Sequence, residues 1–262
     1  MSNMHLNCSP IIRFLVLIIF LLDGGLCLCQ QDSLKINSMI STRNSFSNRV
    51  LKVDLIAPIG LISYGIASVK SPYLQRQNEI IKENLQYNRP QRVHIDDFTQ
   101  YASTGAYFAL DVMGVEAKHS LRSRFFTATV SHIIMGTTVN LMKKSMPMMR
   151  PDFSSMNSFP SGHTATAFVG AELIWQEYRH QSIWYGIGAY TLAAGTGFFR
   201  MYNNRHWLSD VVMGAGVGIL STKMAYWMLP TLEERWQKKK YPSIFIPSYN
   251  GRQVQITYAC TF

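Results

Sequence analysis

The sequence predicts an all-α fold, a bundle of about six helices closed by a short hairpin-like tail. Three observations lead there. From Leu51 to about residue 230 the apolar residues recur at helical spacing, broken only by short polar turns. The long apolar runs carry almost no charge, and residues 181–199 are an uncharged stretch of 19 with Gly186, Gly188, Gly195 and Gly197. Strand-like alternation appears only at the end of the chain, on either side of Asn250-Gly251, a pair suited to a tight turn.

Residues 1–29 read as a secretory signal peptide. Arg13 precedes the apolar run Phe14–Leu22, and small residues follow as far as Cys29. Cleavage after Cys29 would remove Cys8, Cys27 and Cys29 and leave Cys260, so no intramolecular disulfide is expected in an exported, oxidising compartment. Residues 30–50 are polar and read as a flexible leader. The helical domain is expected over residues 51–230, and a basic segment with the tail over 231–262.

Within the domain, residues 55–69 are uncharged but contain Pro58 and Gly60, which suits a buried or partly inserted helix. Residues 71–97 read as an amphipathic, exposed segment. Asp96 and Asp97 read as caps or first-turn acids of the next helix. Residues 121–142 form a long run leading into Lys143, and His163 to Tyr178 is the next helix. The run 181–199 delivers Arg200 at its end, and residues 207–229 form the last core helix. Small residues at this density permit close helix approach, so Gly214, Gly216 and Gly218 are assigned to packing. GAGVG follows no strand, which argues against a nucleotide loop. His94, Asp111, His132 and His180 read as surface, helix-end or core residues.

The chain is 262 residues long, 47% hydrophobic and 15% charged, with a net charge of +10. One main domain is the natural reading. Removing residues 1–29 leaves the charge unchanged, because that segment holds one Arg and one Asp. An excess of Lys and Arg suits an anionic partner. No nucleic-acid module is recognisable, and a phosphate site beside an anionic membrane accounts for the sign. The mean hydropathy of +0.01 is low for a chain that crosses a bilayer many times.

The chemistry is concentrated between Lys143 and Asp210. Lys143 and Arg150-Pro151 come first, Pro160-Ser161-Gly162-His163 second, and Arg200, His206 and Asp210 third. Arg offers a planar fork that matches phosphate oxygens, and Lys adds a compact charge. Ser161 and Gly162 precede a helix, so their backbone N–H groups are expected at its N-terminus, where anions bind. His206 and Asp210 lie four residues apart on one helix face. A carboxylate there can fix the tautomer and leave the other ring nitrogen to attack. His163 is a second imidazole available for proton transfer.

K-x6-RP, PSGH and R-x5-H-x3-D, in this order, resemble the type 2 phosphatidic acid phosphatase (PAP2) and vanadium haloperoxidase superfamily. The motifs cover Lys143 to Asp210, and Phe199 stands where that family usually carries Ser. The family spacing selects Lys143 over the adjacent Lys144. The resemblance implies a helical bundle with its site between helix ends. It also implies that Lys143, Arg150, Ser161, Gly162 and Arg200 hold a phosphate without metal or other cofactor. His206 would then be the nucleophile oriented by Asp210, and His163 the acid and base.

The expected function is hydrolysis of a phosphate monoester or pyrophosphate, with a phosphorylated membrane lipid as substrate. Phosphatidate, undecaprenyl pyrophosphate and lipid A types are the candidates, at a membrane surface in the bacterial periplasm or cell envelope. A soluble periplasmic acid phosphatase on small phosphomonoesters is the alternative. A vanadium-dependent haloperoxidase would share the pocket but usually needs more chain. A non-catalytic anion-binding protein need not retain His163, His206 and Asp210 together.

Overall fold

The computed structural model describes residues 37–87, 91–238, 244–249 and 254–259. Among them are seven helices and one antiparallel strand pair: α1 (Asn37–Lys70), α2 (Pro72–Gln86), α3 (Asp96–Val112), α4 (Leu121–Ser145), α5 (Gly162–Tyr178), α6 (Ile183–Tyr202), α7 (Leu208–Lys238), β1 (Ile244–Tyr249) and β2 (Val254–Ala259). The all-α expectation holds. The strands run antiparallel, with Tyr249 opposite Val254 on either side of the segment expected to turn. The segment read as a signal peptide lies outside the described residues.

Two segments differ from their expected form. Helix α1 begins at Asn37, inside the stretch read as leader. No Gly or Pro occurs between Asn37 and Ala57, so nothing interrupts the backbone ladder there. Residues 72–86, expected to be merely exposed, form α2 and bury Asn78. The bend between Asp54–Lys70 and α2 is 97°. Ser71 and Pro72 cause it. Pro disfavours a helical conformation in the residue before it, and Ser71 is extended at φ −86°, ψ 113°. Its hydroxyl then caps α2 by accepting from Leu74 N–H.

Helix α5 is the axis of the bundle and touches α3, α4, α6 and α7. Its buried residues include Ala165, Ala167, Val169, Ala171 and Leu173, all of small or middling size. Close approach of α7 depends on two of its glycines. A Cβ at Gly214 would lie 2.5 Å from the carbonyl oxygen of Ser161, and one at Gly218 would lie 2.4 Å from that of Ala165. These glycines do serve packing, as expected.

The C-terminal end of α5 sits in a buried polar network. Glu177 accepts hydrogen bonds from the backbone of His119 and from Tyr226. Arg124 donates to Tyr178 Oη at 2.9 Å and pairs with Asp111 at 3.0 Å. Nearer the middle of α5, Glu172 pairs with Lys223 at 2.8 Å. The N-terminal end of α5 meets the residues singled out in the sequence.

One helix among the described residues, α4, is long and apolar enough to cross a membrane by length and composition. Large apolar side chains are exposed on α3, α4 and α6, among them Phe98, Tyr101, Phe125, Ile133, Trp184 and Phe198.

Candidate active site

Four helix ends and one loop form the site. Lys143 lies in the last turn of α4, and Arg200 in the last turn of α6. Ser161 is the N-cap of α5, and Asp210 lies in the first turn of α7. The loop 146–161 carries Arg150. It is pinned by Ser158 N–H donating to Met148 O, by Arg150 N–H donating to Ser155 O, and by Trp207 Nε1–H donating to Met149 O. Helix α2 braces the same loop from outside. Lys82 Nζ donates to Pro151 O at 2.8 Å and lies over the Phe153 and Trp207 rings. Asn78 exchanges hydrogen bonds with Ser209.

Asp210 holds these parts together. Its carboxylate oxygen Oδ2 faces His206 Nδ1 at 3.4 Å and accepts from Trp207 N–H at 2.9 Å. The same oxygen accepts from the Ser158 hydroxyl, and the backbone carbonyl accepts from Ser161 N–H at 3.0 Å. An ionised carboxylate can only accept, so Nδ1 of His206 carries the proton and Nε2 carries the lone pair. His206 is buried, and burial pushes its pKa down to about 4, helped by Arg200 and Lys143 against the pull of Asp210. The imidazole is therefore neutral at pH 7, with the lone pair on Nε2 unprotonated.

Lys143 and Arg200 act on this histidine, and Arg150 lies close enough to both cations to depress them or be depressed by them. Burial, with Arg150 and Arg200 nearby, lowers Lys143 to a pKa of about 8. Arg150 is lowered by burial and by Arg200 and Arg205. Arg150 forms no ion pair among the described residues, and its buried Nε has no partner there. Arg200 does have partners: Asp96 at 2.6 Å and Asp97 at 3.6 Å. Its Nε, also buried, has none among the described residues. Crowded, partly desolvated cations of this kind are costly unless an anion completes them.

The expectation for Ser161 needs correction. Its N–H is committed to Asp210 O, and its hydroxyl accepts from Thr164 N–H, so it offers no free backbone donor. A helix N-cap at a junction of two helices spends its own donor on closing that junction. Gly162 N–H, in the first helical position, has no acceptor among the described residues and remains available at the positive end of α5. His163, also in the first turn, is half-buried, and its Nε2 lies 3.0 Å from Asp97 Oδ1.

Sequence reasoning missed Asp96 and Asp97 as part of the site. It assigned both to capping α3, and they do occupy its first turn. Asp96 is also buried against Arg200 and accepts from Asn203 Nδ2 at 3.1 Å. A local role already explains two acids at a helix start, so no pattern in the sequence calls for a second one. Phe199, at the usual Ser position of the motif, packs edge-on against Tyr202. Asp111 pairs with Arg124 and His132 Nδ1 lies 2.8 Å from Ala128 O, so neither belongs to the site.

This fold and this site define a class: a helical bundle whose helix ends gather a histidine, its carboxylate and three cationic side chains. The chain belongs to the PAP2 superfamily, whose model matches residues 61–234. Among curated proteins it is similar to a lipid A 1-phosphatase of Porphyromonas gingivalis, with 40% identity over 135 residues. That match takes in 51% of this chain, and the chain spans 30% of the relative's length. Two solved structures are also similar, each 19% identical. One is LpxE of Aquifex aeolicus, covering 55% of this chain and 93% of that one at a TM-score of 0.43. The other is a transmembrane PAP2 type phosphatidylglycerolphosphate phosphatase from Bacillus subtilis, covering 68% and 96% at a TM-score of 0.44.

Proposed function

We propose that the chain is a phosphatase that removes phosphate, as monoester or pyrophosphate, from a membrane lipid through a phosphohistidine. The observation that carries this reading is a neutral, buried His206 oriented by Asp210 among cations of which Arg150 lacks a counter-ion among the described residues. Lys143, Arg150, Arg200 and Gly162 N–H hold the phosphate oxygens and offset the charge that grows in the transition state. Ser161 acts through its cap, which sets the start of α5. Nε2 of His206 bonds to phosphorus as the bond to the leaving oxygen breaks, and His163 gives that oxygen its proton. Water then attacks phosphorus, His163 takes a proton from it, and the His206–phosphorus bond breaks to release inorganic phosphate.

A lipid substrate is supported by the lipid A 1-phosphatase relative and by exposed apolar side chains next to site residues in the sequence. Exposed Met149 and Phe153 flank Arg150, exposed Met156 follows in the same loop, and exposed Phe98 follows Asp97. Exposed apolar side chains on the segments that carry the site suit a substrate presented at a membrane surface. We assign residues 1–29 to an export signal and the protein to the envelope, in association with the membrane. The mean hydropathy of +0.01 favours a second reading, a soluble phosphatase of small esters.

The test is phosphate release by purified protein in detergent and chelator. The panel holds an aryl phosphate, phosphatidate, undecaprenyl pyrophosphate and lipid A. Preference for one lipid supports the first reading, and equal rates on the aryl ester support the second. Release from none, with halide oxidation on adding vanadate and peroxide, would replace both with a haloperoxidase.

A further inference from the structure

Two adjacent carboxylates at the start of α3 have different roles. The side chain of Asp96 is 2% exposed and locked between Arg200 and Asn203. That of Asp97 is 50% exposed, yet its Oδ1 lies 3.0 Å from Nε2 of His163 and 3.6 Å from Nη1 of Arg200. His94, at 3.7 Å from Oδ2, is the other ionisable neighbour of Asp97. No other polar group among the described residues bonds to the His163 ring.

We propose that Asp97 is a positioning residue for His163, accepting its Nε2–H so that Nδ1 is the nitrogen that exchanges a proton with the leaving oxygen. This rests on the phosphatase reading above. The chemistry follows from what a carboxylate can do. It accepts only, so it selects the tautomer with hydrogen on Nε2, and it favours the cationic ring that a general acid needs. Two influences oppose it. Burial and then Arg200 lower the basicity of His163, while Asp97, and more weakly Asp96, raise it. Without Asp97, the histidine would sit beside a guanidinium with only the weaker pull of Asp96 to keep its proton and no hydrogen bond among the described residues to fix its plane. The attack by His206 would be intact, but the departing alkoxide would lose its donor.

The experiment compares the wild-type protein with Asp97→Asn in detergent. The His163 ring is titrated by NMR, with His163→Asn identifying its signal. Asp97→Asn should lower the His163 midpoint by about 0.5–1 in pH, a modest effect because the carboxylate is half-exposed. Turnover should fall about tenfold or more on an alkyl phosphate, whose leaving oxygen needs a proton. On a nitrophenyl phosphate it should fall less than about threefold. The limb on which kcat declines with rising pH should begin at lower pH. Asp97→Glu should restore part of the titration. In a His163→Asn background, Asp97→Asn should cost nothing further. An unchanged His163 titration overturns the proposal whatever the turnover, as does an equal loss on both esters. A shifted titration in a protein whose wild type hydrolyses no phosphate ester would instead overturn the phosphatase reading and leave the Asp97–His163 link standing.

Discussion

The two ends of α5 both bury charge, but they balance it differently. Towards the C-terminal end Arg124 meets Asp111, Lys223 meets Glu172, and Glu177 is closed by His119 and Tyr226. Burial works to raise the Glu177 pKa, yet the hydrogen bonds from His119 and Tyr226 prevail and hold it below the usual carboxylate range. At the N-terminal end Arg200 pairs with Asp96 and Asp97, while Arg150 forms no ion pair among the described residues, and one oxygen of the Asp210 carboxylate takes all three of its donors. The first arrangement neutralises itself and holds the bundle together. The second leaves Arg150 without a counter-ion among the described residues. Burial alone therefore does not mark a functional cluster. A partly buried cation without a counter-ion, as at Arg150, is the better marker.

The largest effect should separate the two ends most sharply. His206→Ala should lower turnover by at least about 10^4-fold, with a smaller loss of thermal stability than breaking a buried ion pair causes. Turnover within about tenfold of wild type would remove His206 as nucleophile. Glu172→Gln should do the reverse. It leaves Lys223 buried without its partner and should cost about 3–5 kcal/mol in denaturant melts, with phosphate affinity unchanged in the folded protein. A neutral result would show that Lys223 does not depend on Glu172 and that this end of α5 is not self-neutralising.

Arg150→Ala should weaken inorganic phosphate binding by about 1.5–3 kcal/mol, roughly 10- to 100-fold, and raise stability slightly by removing an unpaired, partly buried cation. Calorimetry of phosphate binding checks the first part, and unchanged affinity would remove Arg150 from the cradle. The smallest effect is in pH. Lys143 is charged below its pKa of about 8 and loses that charge above it. Phosphate affinity should therefore fall several-fold from about pH 7 to about pH 9, and Lys143→Arg should flatten the decline. Stability should move with pH for a different reason. Unfolded chains protonate His206 near pH 6.5, whereas the folded site resists until about pH 4, so stability should be lost as pH falls through that window.

The helices and the three motif clusters are legible in the sequence because each has a local signature. Helical spacing marks α3 to α7, and phosphate chemistry requires Lys, Arg and His at intervals that a helix end can present. What is not legible depends on contacts between distant segments. Asp96 meets Arg200 across 104 residues, and Asp97 meets His163 across 66. Helix α2 has the composition of a solvated segment because Asn, Gln and Glu dominate it, yet Ser209 gives Asn78 a buried partner. The donor on Ser161 reads as free in the sequence because only the folded chain brings Asp210 O to it.

Gly214 carries no functional group and belongs to a different helix from the loop that holds Arg150, so its importance is as a spacer. A single methyl group there would press on the carbonyl of Ser161 and act as a wedge, tilting the start of α5 away from α7. Phosphate grip would then be adjustable from a position that never touches phosphate. Variation at this one glycine would then act on the site from a distance, and it would go unnoticed in any survey confined to charged residues.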